Sequence, residues 1–255
     1  MSKKSMIDKS YCIGFIAIFI VAWQIAANRE MINTFHFSSP LEIFKDLIIL
    51  FKTGEIWPNI SITLGVSILG LLYGTVAGVV VAFLFGNFQI LSKIFDPILV
   101  GLYGLPKLAL GPLFIIWFGI GIEAKIFMSA IMVFFLVFFN AYAGFRSTDI
   151  NLLNTLRLMG ASKFQIIMKV TLPSCIPWIA ASLRAGAGSA VMGTIVGEYL
   201  GSNRGLGWMV QSAGGVYNIT RVLSCISILF FLMSIIDSLL KHVEKKVLRW
   251  RQESN

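Results

Sequence analysis

The sequence predicts an all-α integral membrane protein of about six transmembrane helices. Three observations carry this. Of the 255 residues, 57% are hydrophobic and only 13% are charged, against about 45–50% and about 25% in soluble domains. The apolar residues gather in runs long enough to cross a bilayer, whose core of about 30 Å needs about 20 of them in a helix, because hydrocarbon cannot hydrogen-bond a bare backbone. The basic residues, 21 against 12 acidic for a net charge of +9, concentrate on one side of those runs. An ordinary soluble enzyme is excluded. Cys12, Cys175 and Cys225 lie far apart in apolar stretches, and with only His36 and His242 beside them they offer no disulfide framework or metal cluster.

Taken in order, the first run lies between Lys9 and Arg29, 19 uncharged residues preceded by Lys3, Lys4 and Lys9. It reads as a signal peptide or a first span. No small-residue cleavage site closes it and Trp23 suits an interface, which favours the span. An amphipathic segment follows at 40–52. Ile56 to Ser92 holds no charge over 37 residues, so one long, Gly-rich, tilted helix is expected at 59–85. The third span, 97–119, contains Pro97, Pro106 and Pro112, which remove backbone donors and predict a kinked or broken helix. The fourth, 124–143, is the plainest. The fifth, 176–197, is rich in Ala, Gly and Ser, which let helices approach closely. The sixth is 222–240. A polar-flanked loop is expected at 144–175 and a Gly-rich loop at 199–216. The domains expected are an N-terminal span with its external segment at 1–58, a core at 59–240, and a basic tail at 241–255.

With the N-terminus inside, the inner segments hold 13 basic residues, Lys3, Lys4, Lys9, Lys93, Arg146, Arg157, Lys163, Lys169, Lys241, Lys245, Lys246, Arg249 and Arg251. The outer ones hold six: Arg29, Lys45, Lys52, Lys125, Arg204 and Arg221. The excess predicts both termini in the cytoplasm. It also places 144–175 inside.

Within that loop Leu152, Leu153, Leu156 and Met159, then Phe164, Ile167 and Met168, recur at spacings of three and four, as in an amphipathic helix pair. Gly160 with Ala161 and Ser162 predicts a helix stop, a close turn and a new N-cap, and Pro173 predicts the end of the second helix near 172. Such an elbow either offers its apolar face to a cytoplasmic partner or lies on the lipid surface.

Gly160-Ala161, with Val170-Thr171-Leu172-Pro173 after it, resembles the E-A-A-x3-G-x9-I-x-L-P loop of permease subunits of ATP-binding-cassette importers. Asn154-Thr155-Leu156 replaces Glu-Ala-Ala and Val170 replaces Ile, so an ionic contact of the family's Glu is not available. The runs DPILVGLYGLPKLALGPLFIIWFGIGIEAKI and LPSCIPWIAASLRAGAGSAVMGTIVGEYLGSNRGLG are similar to the branch importing nitrate, sulfonates and taurine, over roughly residues 38–240.

The resemblance implies a multi-pass subunit of a bacterial or archaeal cytoplasmic membrane, without a cofactor. It pairs with a second permease, most simply an identical copy, couples to two cytoplasmic ATP-binding subunits, and receives solute from an extracytoplasmic binding protein. The chain has no G-x-x-x-x-G-K-[ST] phosphate loop, so ATP hydrolysis falls to a partner. Gly160, Ala161, Phe164, Leu172 and Pro173 are the expected ATPase-coupling residues, or the ones that merely shape the turn.

Lys107 and Arg184 are cations inside spans, where a charge costs about 2.5–3.5 kcal/mol and faces a cavity, a partner or the protein interior. Lys107 is expected on a path for an anionic solute, or paired or snorkelling. Arg184 is expected on that path, or in an ion pair or gate. Glu198 is expected to hold an outer gate through Arg204 or Arg221, to touch solute or the docked binding protein, or to be an ordinary interfacial carboxylate, and Ser189 to hydrogen-bond solute or a neighbouring helix. Ion-coupled secondary transport is the weaker alternative, because the acids near the spans, Asp96, Glu198 and Asp237, lie close to their ends. A neutral or cationic vitamin-precursor solute is the other open alternative.

Overall fold

Every described element is helical. The structure, a computed structural model, describes residues 3–249; the side chains of 3–10, 12, 13 and 89 lie outside it, so Cys12 and the N-terminal lysines are not characterised, nor is Arg251. The helices are α1 (Lys3–Asn28), α2 (Thr34–Phe37), α3 (Pro40–Thr53), α4 (Ile56–Asn87), α5 (Gln89–Gly104), α6 (Gly111–Phe118) and α7 (Ile122–Arg146). Beyond them come α8 (Ile150–Leu158), α9 (Lys163–Ile166), α10 (Leu172–Gly201), α11 (Leu206–Gly215) and α12 (Ile219–Val247).

Four stretches are long and apolar enough to cross a bilayer: α4, α7, the run Lys163–Gly201, and α12. A bent pair, α5 with the segment from Lys107 to Phe118, adds a fifth. The described apolar part of α1, Gly14–Asn28, is shorter, so the expected count of six is approximate. The third span departs from expectation in its start, since its first half begins at Gln89 rather than 97; as a broken helix it follows expectation, its halves meeting at 87°. Pro106 explains the break: the residue before a proline is pushed out of helical backbone, and Leu105 is extended at φ −69°, ψ 142°. A 3-10 turn, Lys107–Leu110, then leads into α6, which carries Pro112 in its first turn. The expected Gly-rich loop contains α11.

The chain divides into two compact units. One comprises residues 1–59 and 209–230, the other 60–208 and 231–255. In the first, Ser39 caps α3 by accepting from the Glu42 amide, Pro40 fills the first helical turn, and Gly54 ends the helix at φ +75°. Arg221 reaches Asp46 at 3.0 Å and Glu55 at 3.3 Å, and Ser38 bonds Thr220 at 2.8 Å.

The second unit is organised around α7, against which both α4 and α10 pack. Gly70, Gly74, Gly78, Ala82 and Gly86 fall every four residues on one face of α4. A Cβ on Gly70 would meet Ser129, one on Gly74 the Ala130 carbonyl and Val133, one on Gly78 the backbone of Phe134 and Phe138, and one on Gly86 the Phe145 ring. On α10, Gly193 meets the backbone of Met128 and Ser129 in the same way. Val133, Val137 and Ala190 form one buried cluster, and Ala82, Phe85, Phe138 and Ala141 another. Between helices in lipid there is no hydrophobic driving force, so close contact of small residues supplies the attraction.

Gly65 has open space around it, unlike Gly74. Gly74→Ala is therefore expected to cost about 1–3 kcal/mol by overpacking. Gly65→Ala should be neutral or stabilising by up to about 1 kcal/mol. Thermal melting of the purified variants checks both.

Candidate functional site

Two regions collect the candidate residues. The first is the elbow. Asp149 caps α8 through the Asn151 amide at 2.8 Å. At its far end Gly160 takes φ +83°. The Ala161 amide reaches back to the Leu156 carbonyl and the Gly160 amide to the Arg157 carbonyl, both at 3.0 Å, which is a Schellman stop. Ser162 then starts α9 with a capping box, its hydroxyl accepting from the Gln165 amide and the Gln165 side chain from its own. The turn aims apolar side chains outward: Leu158 is 90% exposed, Met159 77% and Phe164 71%.

Pro173 does not end the second helix, contrary to expectation. Residues Ile167–Thr171 widen into a π-helix, the Leu172 amide bonding the Ile167 carbonyl, and the chain continues into α10 with Pro173 in its first turn. A proline has no N–H to give the carbonyl four residues back, and a wider turn moves that carbonyl aside. Leu172 and Pro173 are half-buried at this joint, while Gly160 and Phe164 stand exposed at the tip, with Ala161 half-buried between them.

The second region is a buried polar column beside α7. Glu198 is fully buried near the end of α10. The Thr63 hydroxyl donates to its carboxylate at 2.9 and 3.0 Å, and the Gly207 amide donates at 2.8 Å. Thr63 in turn accepts from the Leu206 amide at 2.9 Å. The first turn of α11 thus offers its unpaired amides to a carboxylate, as a helix N-terminus favours. One turn along, Ser67 donates to Thr194 at 3.0 Å, and Ser129 to the Ala190 carbonyl at 2.9 Å. Lys125, nearly buried, donates to Ser202 at 2.7 Å and attracts Glu198 electrostatically. Gly205, at φ +108°, lies so close that any Cβ would strike the Glu198 carboxylate. Among the described residues of its own unit, the carboxylate of Glu198 is thus bonded by Thr63 and Gly207 and not by Arg204; Arg221, in the first unit, is engaged by Asp46 and Glu55.

Arg184 makes a two-pronged contact with Asp237, at 2.7 and 3.2 Å, and lies 3.7 Å from Glu244. Lys107 stands at the break between α5 and α6. Its ammonium donates to the Tyr103 carbonyl at 2.8 Å and lies 4.5 Å and 5.0 Å from the Tyr103 and Phe135 ring centres. No carboxylate lies within ion-pair distance of it among the described residues. Ser189 is half-buried on α10. No group of three His, Cys, Asp or Glu that could hold a metal occurs among the described residues.

The model of the family described as "Binding-protein-dependent transport system inner membrane component" matches residues 74–249. The chain belongs to this family. SsuC of Bacillus subtilis (strain 168), named for aliphatic sulfonates transport, is 32% identical over 92% of this chain and 85% of its own. The formylaminopyrimidine transport permease protein ThiX of Halalkalibacterium halodurans is 31% identical over 94% and 95%. In fold, the chain is similar to one from the MetNI methionine ABC transporter in inward-facing conformations, with a TM-score of 0.67 at 21% identity, over 75% of this chain and 95% of that one. It is the permease subunit of an ABC importer.

In this permease the expected coupling residues fall at one elbow and its joint. Of the four expected path or gate residues, Glu198 is locked in the column, Arg184 is ion-paired, Lys107 lies over two rings, and Ser189 is half-buried on α10. Sequence reading missed Thr63, Ser67 and the buried position of Lys125. A signal existed: Thr63 and Ser67 on α4, like Thr194 and Glu198 on α10, are polar pairs four residues apart in apolar helices, matched so that two helices can satisfy each other.

Glu198→Ala would leave the Gly207 amide without its buried acceptor, and is expected to cost about 3 kcal/mol, as for loss of a hydrogen-bonded buried charge. Glu198→Gln keeps one acceptor oxygen and should lose less. The difference in melting temperature between the two variants measures this.

Proposed function

We propose that this permease carries a small solute bearing an anionic group, a sulfonate, taurine, nitrate or similar, inward, driven by ATP hydrolysis on partner chains. Two cytoplasmic ATP-binding subunits would meet the elbow of each of two permease copies, and an extracytoplasmic binding protein would deliver the solute. Both termini face the cytoplasm in this reading, supported by the basic residues. The observation that carries it is the elbow: Leu158, Met159 and Phe164 are held exposed by a Schellman stop and a capping box. An ordered, outward-facing apolar knob fits a protein groove better than water.

The domains follow the same reading, with residues 59–240 as the permease core, 1–58 as an N-terminal addition and 241–255 as a basic tail. Gly160 and Ala161 shape the elbow, Phe164 fills the ATPase groove, and Leu172 and Pro173 join the elbow to α10. The anionic solute is supported by the SsuC relative and by Lys107, a cation at a broken helix without a carboxylate partner among the described residues. Arg184 with Asp237 serves as a structural pair or gate rather than as a solute contact, and Glu198 holds the outer end of α10, with Ser189 facing the path. The ThiX relative favours a second reading, a pyrimidine precursor as solute.

Phe164→Asp should weaken capture of the ATPase subunit by about 30-fold, the loss of roughly 2 kcal/mol expected of an aromatic anchor, while the permease still reaches the membrane. Co-purification and solute-stimulated ATP hydrolysis measure it, and full retention of both would refute the coupling assignment. Lys107→Met should abolish sulfonate uptake into proteoliposomes while ATPase binding persists. Unchanged uptake would remove Lys107 from the path.

A further inference from the structure

Helix α3 has three faces. Ile43 and Leu50 are buried, and with Asp46 they define the side turned to the protein, where Arg221 grips Asp46 and Ser224 bonds the Ile43 carbonyl at 3.5 Å. At 100° per residue, Phe51, Phe44, Ile48 and Leu41 form a second stripe, more than 90° round from Ile43 and Leu50 in most positions, and all four are exposed. Lys52 and Lys45 come next around the helix, followed by Glu42, all exposed. Ile49 alone breaks the polar third face. Among the described residues all four stripe side chains stand exposed, and α3 itself is closed by caps at both ends.

The covalent chain fixes where this stripe lies. Only Gly54 and Glu55 separate α3 from the start of α4, a distance of about 10 Å at full extension. Helix α4, 32 residues long, measures about 48 Å and exceeds the ~30 Å hydrocarbon core. Its first turn, and with it α3, is thereby held at the water–lipid boundary. At 14 residues, or about 21 Å, α3 is itself too short to span. Trp57, exposed and edge-on to Phe51 at 5.5 Å, extends the stripe with an aromatic suited to that boundary.

We propose that α3 is an in-plane membrane anchor, its Leu41–Phe44–Ile48–Phe51 stripe buried in the acyl boundary of the leaflet where α4 begins and its Lys45 and Lys52 ammonium groups reaching lipid phosphates. A helix with an apolar face, lysines along its edge and no length to cross is the form that lies in an interface, and lysine stems reach from the apolar layer to headgroups. The anchor holds the Asp46–Arg221 contact, and hence the outer end of α12, at constant depth. The proposal rests on the chain spanning a membrane, not on its solute or its ATPase.

Nitroxide labels at Phe44→Cys, Phe51→Cys and Glu42→Cys test it, in the assembled transporter reconstituted in phosphatidylethanolamine and phosphatidylglycerol vesicles. A Cys12→Ser background is used, where Cys175 and Cys225 are buried. Labels at 44 and 51 should collide several-fold more with oxygen than with a water-soluble nickel chelate, and the label at 42 should show the reverse. Equal or greater collision with nickel at 44 and 51 would put the stripe in water and overturn the proposal. Shielding from both reagents would mean a protein surface, such as a second copy, covers the stripe, and would overturn it too. Should Phe44→Cys fail to assemble, Ile48→Cys reads the same face. Loss of ATPase coupling in the Phe164→Asp variant leaves these collision ratios unchanged, so the two readings fail separately.

Discussion

The second unit depends on two helices lying against α7 with almost no side chain between them. In lipid, apolar groups gain nothing by leaving one membrane environment for another, so attraction between helices has to come from short-range contact and from polar groups with nowhere else to go. Glycine and alanine every four residues on α4 provide the contact, and Gly193 on α10 repeats it. Once the backbones are this close, side chains as short as serine and threonine can bridge helices. Ser67 and Thr194, or Ser129 and the Ala190 carbonyl, could not meet across a layer of leucines.

The Glu198 arrangement follows from the same closeness. An isolated carboxylate in such a place would be costly, and it is tolerated because Thr63 and the Gly207 amide both donate to it and Lys125 supplies nearby positive charge. Each of these is available only where glycine permits approach, since Gly205 and Gly207 leave no room for a Cβ. The Gly-rich stretch is thus no slack loop: it is the turn that folds the first amides of α11 onto the acid.

Much of this was legible in the sequence. Hydrophobic runs located α4, α7, α10 and α12, and the prolines located the break near residue 105. The Gly160 stop and the Ser162 cap were readable because each rests on a local hydrogen-bond pattern that few residue types can make. The rest was hidden for definite reasons. Whether Pro173 ends a helix or is absorbed by a wider turn depends on what the following residues pack against, and α10 has α7 along its length. The partner of Glu198 could not be deduced from charge, because it is a hydroxyl 135 positions away and not the nearest arginine in the sequence. The 87° bend needed both halves of α5 and α6 to be seen together.

The π-turn at Ile167–Thr171 has a mechanical consequence. From Lys163 to Gly201 the chain is one continuous 39-residue helix, about 58 Å long, with the exposed elbow at one end and the buried carboxylate near the other. A push along its axis is carried as compression of a stiff strut, with no loop in which to dissipate. The regular ladder is interrupted twice near its elbow end, by the widened turn and by Pro177, which has no N–H to donate, so bending strain collects over this stretch.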